Sequence, residues 1–379
     1  MKKILLVCLT VVLLSGGISL FAQNSPANDD SGRLIRVVKN EKYGFIDKAG
    51  TLVIPCTFDY VDAFSEGMAL VAKGDPSMHL FGYIDRKGKV VIPCILEDLG
   101  ANMAGLFRPT KFSEGLAQVF GSEDDSVENG FIDNTGRMVL ALDDEETIIS
   151  SSFSEGMAVY GVINESNVGP MYYRGFIDKT GRVVIRATFE YANDFSEGLA
   201  RVSKDGMEGF IDKTGKIVIP FVYDNSYFYL EGFSDGLAAV QKGGRYGFIN
   251  HEGKTVIPLN YDGAAPFSEG LAAVKKGGLW GFIDKTGKVV IPFQFEEVKA
   301  FSDGLARISK DDGYGFIDKN GKLVIPCIYD LAEDFSDGVA VVYKDGKCGL
   351  VDKSGKLIAF GKYDAIGDLA GGEFEEYSI

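Results

Sequence analysis

The sequence predicts an all-β protein, built of tandem three-stranded antiparallel meander repeats stacked as an open superhelical array. Three observations carry that prediction. A Gly-Phe-Ile-Asp block, with small variations, begins at Gly44, Gly82, Gly130, Gly175, Gly209, Gly247, Gly281, Gly315 and Gly349. The last five of these glycines lie 38, 34, 34 and 34 residues apart, and a recurring period marks a repeat architecture. A second block, Phe-Ser-Glu/Asp-Gly, begins at Phe64, Phe112, Phe153, Phe195, Phe233, Phe267, Phe301 and Phe335. Finally, the runs between these turns are apolar on both faces, with Phe282 against Ile283 and Val290 against Val289 and Ile291. A sheet with one wet face would alternate, so each unit needs neighbours on both sides.

One unit shows the elements in order. Phe267 to Gly270 is a turn, with glycine supplying a backbone angle that other residues avoid. Leu271 to Lys275 is the next strand, and Gly277–Gly278 turns the chain. Trp280 to Asp284 is a second strand, followed by Asp284-Lys285-Thr286-Gly287, which fits a type I turn closed by a glycine bulge. Val289 to Ile291 is a third strand, and Pro292 is expected to end it because proline donates nothing to a ladder. Phe293 to Ala300 then returns to the next turn. The second residue after each Phe-Ser-Glu/Asp-Gly turn is alanine in all eight copies, from Ala69 to Ala340, which implies a tight buried fit. The third residue admits Arg201 and Arg307, so it is expected to face water.

The pattern resembles the WG-repeat family, also called KWG repeats, a bacterial β-repeat often found in exported proteins. Leu279-Trp280-Gly281-Phe282-Ile283-Asp284, Val290-Ile291-Pro292 and Phe267 to Ala272 carry the resemblance, over roughly 34–366. The family's tryptophan position is filled by Tyr43, Phe81, Asn129, Arg174, Glu208, Tyr246, Trp280, Tyr314 and Cys348, so a shared tryptophan ladder is absent. The resemblance implies a repeat scaffold and no defined activity. The rival architecture is a closed β-propeller, whose blades usually have four strands and run about 40–45 residues. The shorter unit, its three evident strands and the lack of a visible closing strand favour the open array.

The organisation read from the chain is a leader at 1–22, a flexible lead-in at 23–33, nine repeats at 34–366 and a tail at 367–379. Lys2 and Lys3 precede an apolar run from Ile4 to Leu14, and Ala22 offers a cleavage point, the order of parts in a secretory signal peptide. The mature chain is expected to be secreted, periplasmic or envelope-associated, and not membrane-spanning. The formal charge of −15 argues against nucleic acid, whose phosphates want basic patches.

Motifs that suggest chemistry are better read as turns. Gly232-Phe233-Ser234-Asp235-Gly236 matches a nucleophile elbow, but seven sister turns lack the first glycine and no helix follows. Asp-Lys-Thr-Gly at Asp178, Asp212 and Asp284 has hairpin composition. The acidic clusters at Glu123–Asp125 and Asp143–Glu146 lack a recognised calcium-loop spacing. Cys56, Cys94, Cys327 and Cys348 could be oxidised after export, with Cys56–Cys94 or Cys327–Cys348 as the pairs to consider, but free buried thiols are the simpler expectation. No cofactor and no metal site are expected, and the protein is not expected to be an enzyme.

Function is expected where the copies differ. Regular units take seven steps from the last residue of the strand to the next block glycine, as from Val274 to Gly281. Three early units take 11, 11 and 15 steps, from Val71, Val119 and Tyr160. These loops carry Met78, His79 and Phe81, then Glu123, Asp124 and Asp125, then Tyr172 and Tyr173, a candidate ligand-binding edge. A second candidate is Tyr227, Phe228 and Tyr229. The expected role is a non-catalytic scaffold for a protein or glycan partner. A passive spacer or adhesin stalk is the alternative, and a hydrolase a remoter one.

Overall fold

In the computed structural model the described residues are 32–74, 80–96, 101–102, 105–106, 109–120, 129–142, 147–149, 151–166, 169–225 and 230–367. The expected leader and most of the lead-in and tail lie outside them, as do both acidic clusters. Every extended element among the described residues is a β-strand. The strands form nine antiparallel sheets, one per Gly-Phe-Ile-Asp block, beside a small hairpin of Ala101–Asn102 and Gly105–Leu106. We number these sheets as blades: 35–58 is blade 1, 60–96 blade 2, 116–141 blade 3, 147–189 blade 4, 191–224 blade 5, 238–261 blade 6, 263–295 blade 7, 297–329 blade 8 and 331–358 blade 9.

The array is closed, a nine-bladed β-propeller, and the open superhelix is corrected. Ala365–Ile366, which follows blade 9, pairs antiparallel with Val37–Val38 of blade 1 and gives that sheet its fourth strand. The apolar core divides into nine clusters, each spanning two consecutive blades. The cluster that shuts the ring joins Val339, Val341 and Leu350 to Ile35, Val37 and Ile366. Both faces of every sheet are thus covered, as the two-sided apolar pattern requires.

The expectation of three strands missed a fourth. Most blades begin with a short strand inside what reads as a connection, such as Tyr60–Val61, Tyr191–Ala192 or Glu297–Val298. Two residues cannot display a period, so this strand is invisible in the sequence. The strand expected to stop at Pro292 in fact runs Val289–Phe295. Its register slips there, from Phe282↔Ile291 to Trp280↔Phe295, so the proline sits in a bulge where its missing donor costs no ladder bond. The bulged backbone presses on the block glycine. A Cβ on Gly281 would lie 2.6 Å from the Ile291 carbonyl oxygen and 2.9 Å from the Pro292 carbonyl carbon, so only glycine fits.

The two repeated turns lock neighbouring blades together. In Phe267-Ser268-Glu269-Gly270 the last two residues, Glu269 and Gly270, have positive φ, 52° and 87°. Ser268 Oγ donates to the Phe301 carbonyl of the next blade at 2.7 Å, and Glu269 accepts the Gly304 N–H at 3.1 Å. The hydrogen bond offsets the strain of a glutamate held in the left-handed region. Lys319 of the next blade reaches back to the same carboxylate at 3.0 Å. The block phenylalanine packs on the following turn's phenylalanine, with ring centroids 4.8 Å apart for Phe248–Phe267 and 4.9 Å for Phe282–Phe301. Asp284 closes the other turn. The Thr286 hydroxyl donates to it at 2.6 Å, with the Thr286 and Lys288 amides at 2.9 and 3.1 Å. These bonds, the Thr286 hydroxyl foremost, hold its carboxyl below the ordinary aspartate range.

The repeat alanines are buried as expected, Ala272 at 0% exposure. The expectation for the position after them is corrected. Ala273 is 2% exposed and Arg201 is fully buried. Arg201 reaches toward blade 6, where its Nη2 donates to the Ala239 carbonyl and its Nε to the Glu231 carbonyl. Its Nη1 pairs with Glu208 Oε2 at 2.6 Å, and the guanidinium lies 4.8 Å over the Phe210 ring. Arg307, at the same position in blade 8, is part-buried and pairs with the more exposed Asp334 at 3.3 Å, so only Arg201 makes a fully buried charge pair. All four cysteines described are free.

Candidate binding face

The hairpin turns that lead into the Gly-Phe-Ile-Asp strand share a local design in blades 1, 2, 5, 7 and 9. An acid that follows the preceding blade accepts a backbone N–H of the turn: Asp59 from Gly74 at 2.9 Å, Glu190 from Gly206 at 3.0 Å, Asp262 from Gly277 at 2.7 Å and Asp330 from Asp345 at 2.7 Å. Asp364, next to the closing strand, does the same for Asn40 of blade 1 at 2.7 Å. The carboxylates are therefore consumed in fixing turns. The candidate loops are insertions into these turns.

Blade 4 carries the one such insertion whose strands are described throughout their pairing. Its two strands, Met157–Ser166 and Gly169–Asp178, are ten residues each, against six in the matching hairpin of blade 5. Pairing continues from Tyr160↔Gly175 out to Ser166↔Gly169, six pairs, where blade 5 has two beyond Val202↔Gly209. The four extra pairs extend it by ~13 Å at ~3.3 Å per residue. Tyr172, opposite Ile163, lies in this extension and is 41% exposed, and Tyr173, opposite Val162, is half-buried.

The other candidates are placed differently. Phe81 is 4% exposed and meets the Tyr60 ring edge-on at 5.6 Å, so it belongs to the core and not to an edge. Met78, His79, Glu123, Asp124, Asp125, Tyr227, Phe228 and Tyr229 lie outside the described residues. Ser234 Oγ donates to the Phe267 carbonyl at 2.7 Å, the same bond its sister serines make. Among the described residues no group of three or more His, Cys, Asp or Glu side chains could hold a metal ion, and no helix is long and apolar enough to cross a membrane.

Sequence reasoning missed one feature. A cleft of about 520 Å³ opens between blades 6, 7 and 8, with Trp280, Tyr246 and Lys275 among its walls. The sequence held two signals for it. Trp280 is the only tryptophan, and Gly263-Ala264-Ala265 is a run of small residues where other blades begin with larger ones.

The profile of the WG-containing repeat family matches residues 43–75, 81–106, 175–207, 209–246, 246–280, 280–314 and 314–348. No curated protein matches the chain. Among solved structures, a crystal structure of the eukaryotic initiation factor superposes with a TM-score of 0.59 at 10% identity, covering 88% of this chain and 96% of its own. Dihydro-heme d1 dehydrogenase NirN in complex with DHE gives 0.41 at 16% identity, covering 90% of this chain and 76% of its own. At these identities the first likeness is one of fold alone.

Proposed function

We propose that this chain, which belongs to the WG-containing repeat family, is an exported, non-catalytic propeller that holds a protein or glycan partner at the cell envelope. The blade 4 hairpin carries the proposal. It departs from the regular hairpin, stands four residue pairs beyond its blade 5 equivalent, and presents Tyr172 to solvent. A tyrosine offers apolar area and a hydroxyl at low entropic cost, which suits a contact residue. The non-catalytic reading is supported by the repeat chemistry itself, since the serines and carboxylates that suggest an active site are engaged in turn and blade contacts. The export reading is supported by the basic start, the apolar run and Ala22.

The test shortens 161–174 to the length of the blade 5 equivalent, 203–208. The immobilised chain and its shortened form are compared for capture from envelope extract. Capture should fall tenfold or more, about 1.4 kcal/mol, with the melting curve unchanged. Equal capture by the two forms removes the hairpin from the binding surface. Specific capture by neither turns the reading to a spacer or stalk.

A further inference from the structure

The cleft at blade 7 is the place of a missing side chain. The first strand of blade 2 opens with Tyr60, paired with Ala72, and that of blade 5 with Tyr191, paired with Ser203. Gly263, paired with Lys275, holds the same register in blade 7. In blade 2 the Tyr60 ring stands between the tryptophan-position residues of two blades, with centroids 6.3 Å from Tyr43 of blade 1 and 5.6 Å from Phe81 of its own. In blade 5 the Tyr191 ring lies 5.4 Å under the Arg174 guanidinium of blade 4. The corresponding pair around Gly263 is Tyr246 of blade 6 and Trp280 of blade 7, and both line the cleft. A cation flanks this place too, since Lys275 Nζ lies 5.7 Å over the Trp280 ring. The slot has aromatic walls and a cation, and lacks the ring that Tyr60 and Tyr191 supply in blades 2 and 5; Glu297 and Leu331 hold the same register in blades 8 and 9.

From this we infer that the blade 7 cleft binds an aromatic side chain, tyrosine or phenylalanine, of a partner polypeptide, seated between Tyr246 and Trp280 where Tyr60 sits in blade 2. The fold supplies the argument for a flat ring. Aromatic groups prefer offset or edge-on neighbours at about 4.5–7 Å, and both blade 2 contacts fall in that range. No side chain projects from Gly263, and the edge of the Trp280 indole lies over it, since a Cβ there would stand 3.2 Å from Cη2. The neighbouring Ala264 and Ala265 keep the rest of the wall low. This site is separate from the blade 4 hairpin, so the two can fail independently.

Trp280 is its own reporter, because the chain has no other tryptophan. The full mature chain is titrated with p-cresol, the tyrosine side chain as a free molecule, and in parallel with methyl β-glucopyranoside, with excitation above the tyrosine band. A saturable change in Trp280 emission is expected with p-cresol and not with the glucoside. Gly263→Tyr crowds the Trp280 side of the cleft, where a Cβ alone would stand 3.2 Å from Cη2, and should weaken the p-cresol response tenfold or more. Tyr246→Ala removes one wall, leaves Gly263 alone, and should weaken it fivefold or more, so the outcome stands even if the first variant folds poorly. The inference is overturned by a response to the glucoside alone, by an unchanged p-cresol response in Tyr246→Ala, or by no saturable response to p-cresol in the millimolar range.

Discussion

Asp337 of blade 9 accepts the backbone N–H of Arg33 at 2.7 Å, across 304 residues of chain, and its other oxygen pairs with Lys48 of blade 1 at 3.2 Å. Every other turn acid of this type makes its bond to the next blade in sequence, as Glu269 does to Gly304 and Lys319. For Asp337 the next blade is the first one, so the rule that joins neighbours also joins the ends. The exposed ion pair contributes little by itself. The seal is the apolar cluster beneath it, where Ile366 is fully buried.

Ile366→Ala therefore tests closure. In a closed ring it opens a cavity in the blade 9 to blade 1 core and should cost about 2–5 kcal/mol. Urea unfolding of the full chain measures it. A cost under about 0.5 kcal/mol would mean that the C-terminal strand does not seal the ring.

The buried pair in blade 5 gives the second prediction. Arg201 and Glu208 are 0% and 1% exposed. Glu208→Ala leaves a guanidinium in the core without its partner and should cost about 3–5 kcal/mol, whereas Arg201→Leu combined with Glu208→Leu should come close to neutral. Urea denaturation compares the two variants. A double variant no more stable than Glu208→Ala would show that the pair is held by something other than mutual charge.

The third prediction is a loss of stability in acid. The aspartates that close the repeated turns are held below their ordinary range by hydroxyl and amide donors: Asp178, Asp212 and Asp284 similarly, and Asp133 at about 2, down from 3.8, with the Thr135 hydroxyl as the main cause. A lowered folded value means that the unfolded chain takes up the proton first as pH falls. The stabilisation is present above about pH 4 and is lost on the way down to about 2. Asp194 and Asp334 are raised by burial and work in the opposite sense, favouring the folded chain when protonated. The turn aspartates outnumber them, so the urea midpoint should fall steadily between pH 4 and 2. Asp284→Asn should reduce that slope without unmaking the turn, because Asn250 already occupies the equivalent place and accepts the Lys254 N–H at 2.9 Å. A midpoint that is flat down to pH 2 would contradict this account.

Much of the blade was legible because its signals are local. The glycine-closed turns, the block Phe-Ile pair and the buried alanine each follow from a residue type at a fixed spacing. Closure was not legible, because Ala365–Ile366 is a two-residue strand in a connection and its partner Val37–Val38 is more than 300 residues away. The strand through Pro292 was misjudged because a proline is compatible with a bulge, and a bulge is a property of the pair and not of one strand. The early candidate edge was read from loop length alone, which found the Tyr172 hairpin but also counted Phe81, a residue the neighbouring Tyr60 covers. The cleft is the converse case. Its signal is a side chain absent at Gly263, and that absence has meaning only once the register with Tyr60 and Tyr191 is known.

The last prediction concerns Ala272 and Ala273. Ala272 packs toward blade 6 with Phe267, Val274 and Ile283, and Ala273 packs toward blade 8 with Phe282, Ile291 and Phe301. Neighbouring residues of a strand point to opposite faces, and in a closed ring both faces are interfaces. Each position is therefore confined: Ala272 is 0% exposed and Ala273 2%. Ala272→Leu and Ala273→Leu should each overpack an interface and cost about 1–3 kcal/mol. Denaturant midpoints decide the matter. If Ala273→Leu is neutral while Ala272→Leu is not, the face of blade 7 toward blade 8 is open to solvent and the blades do not pack on both sides.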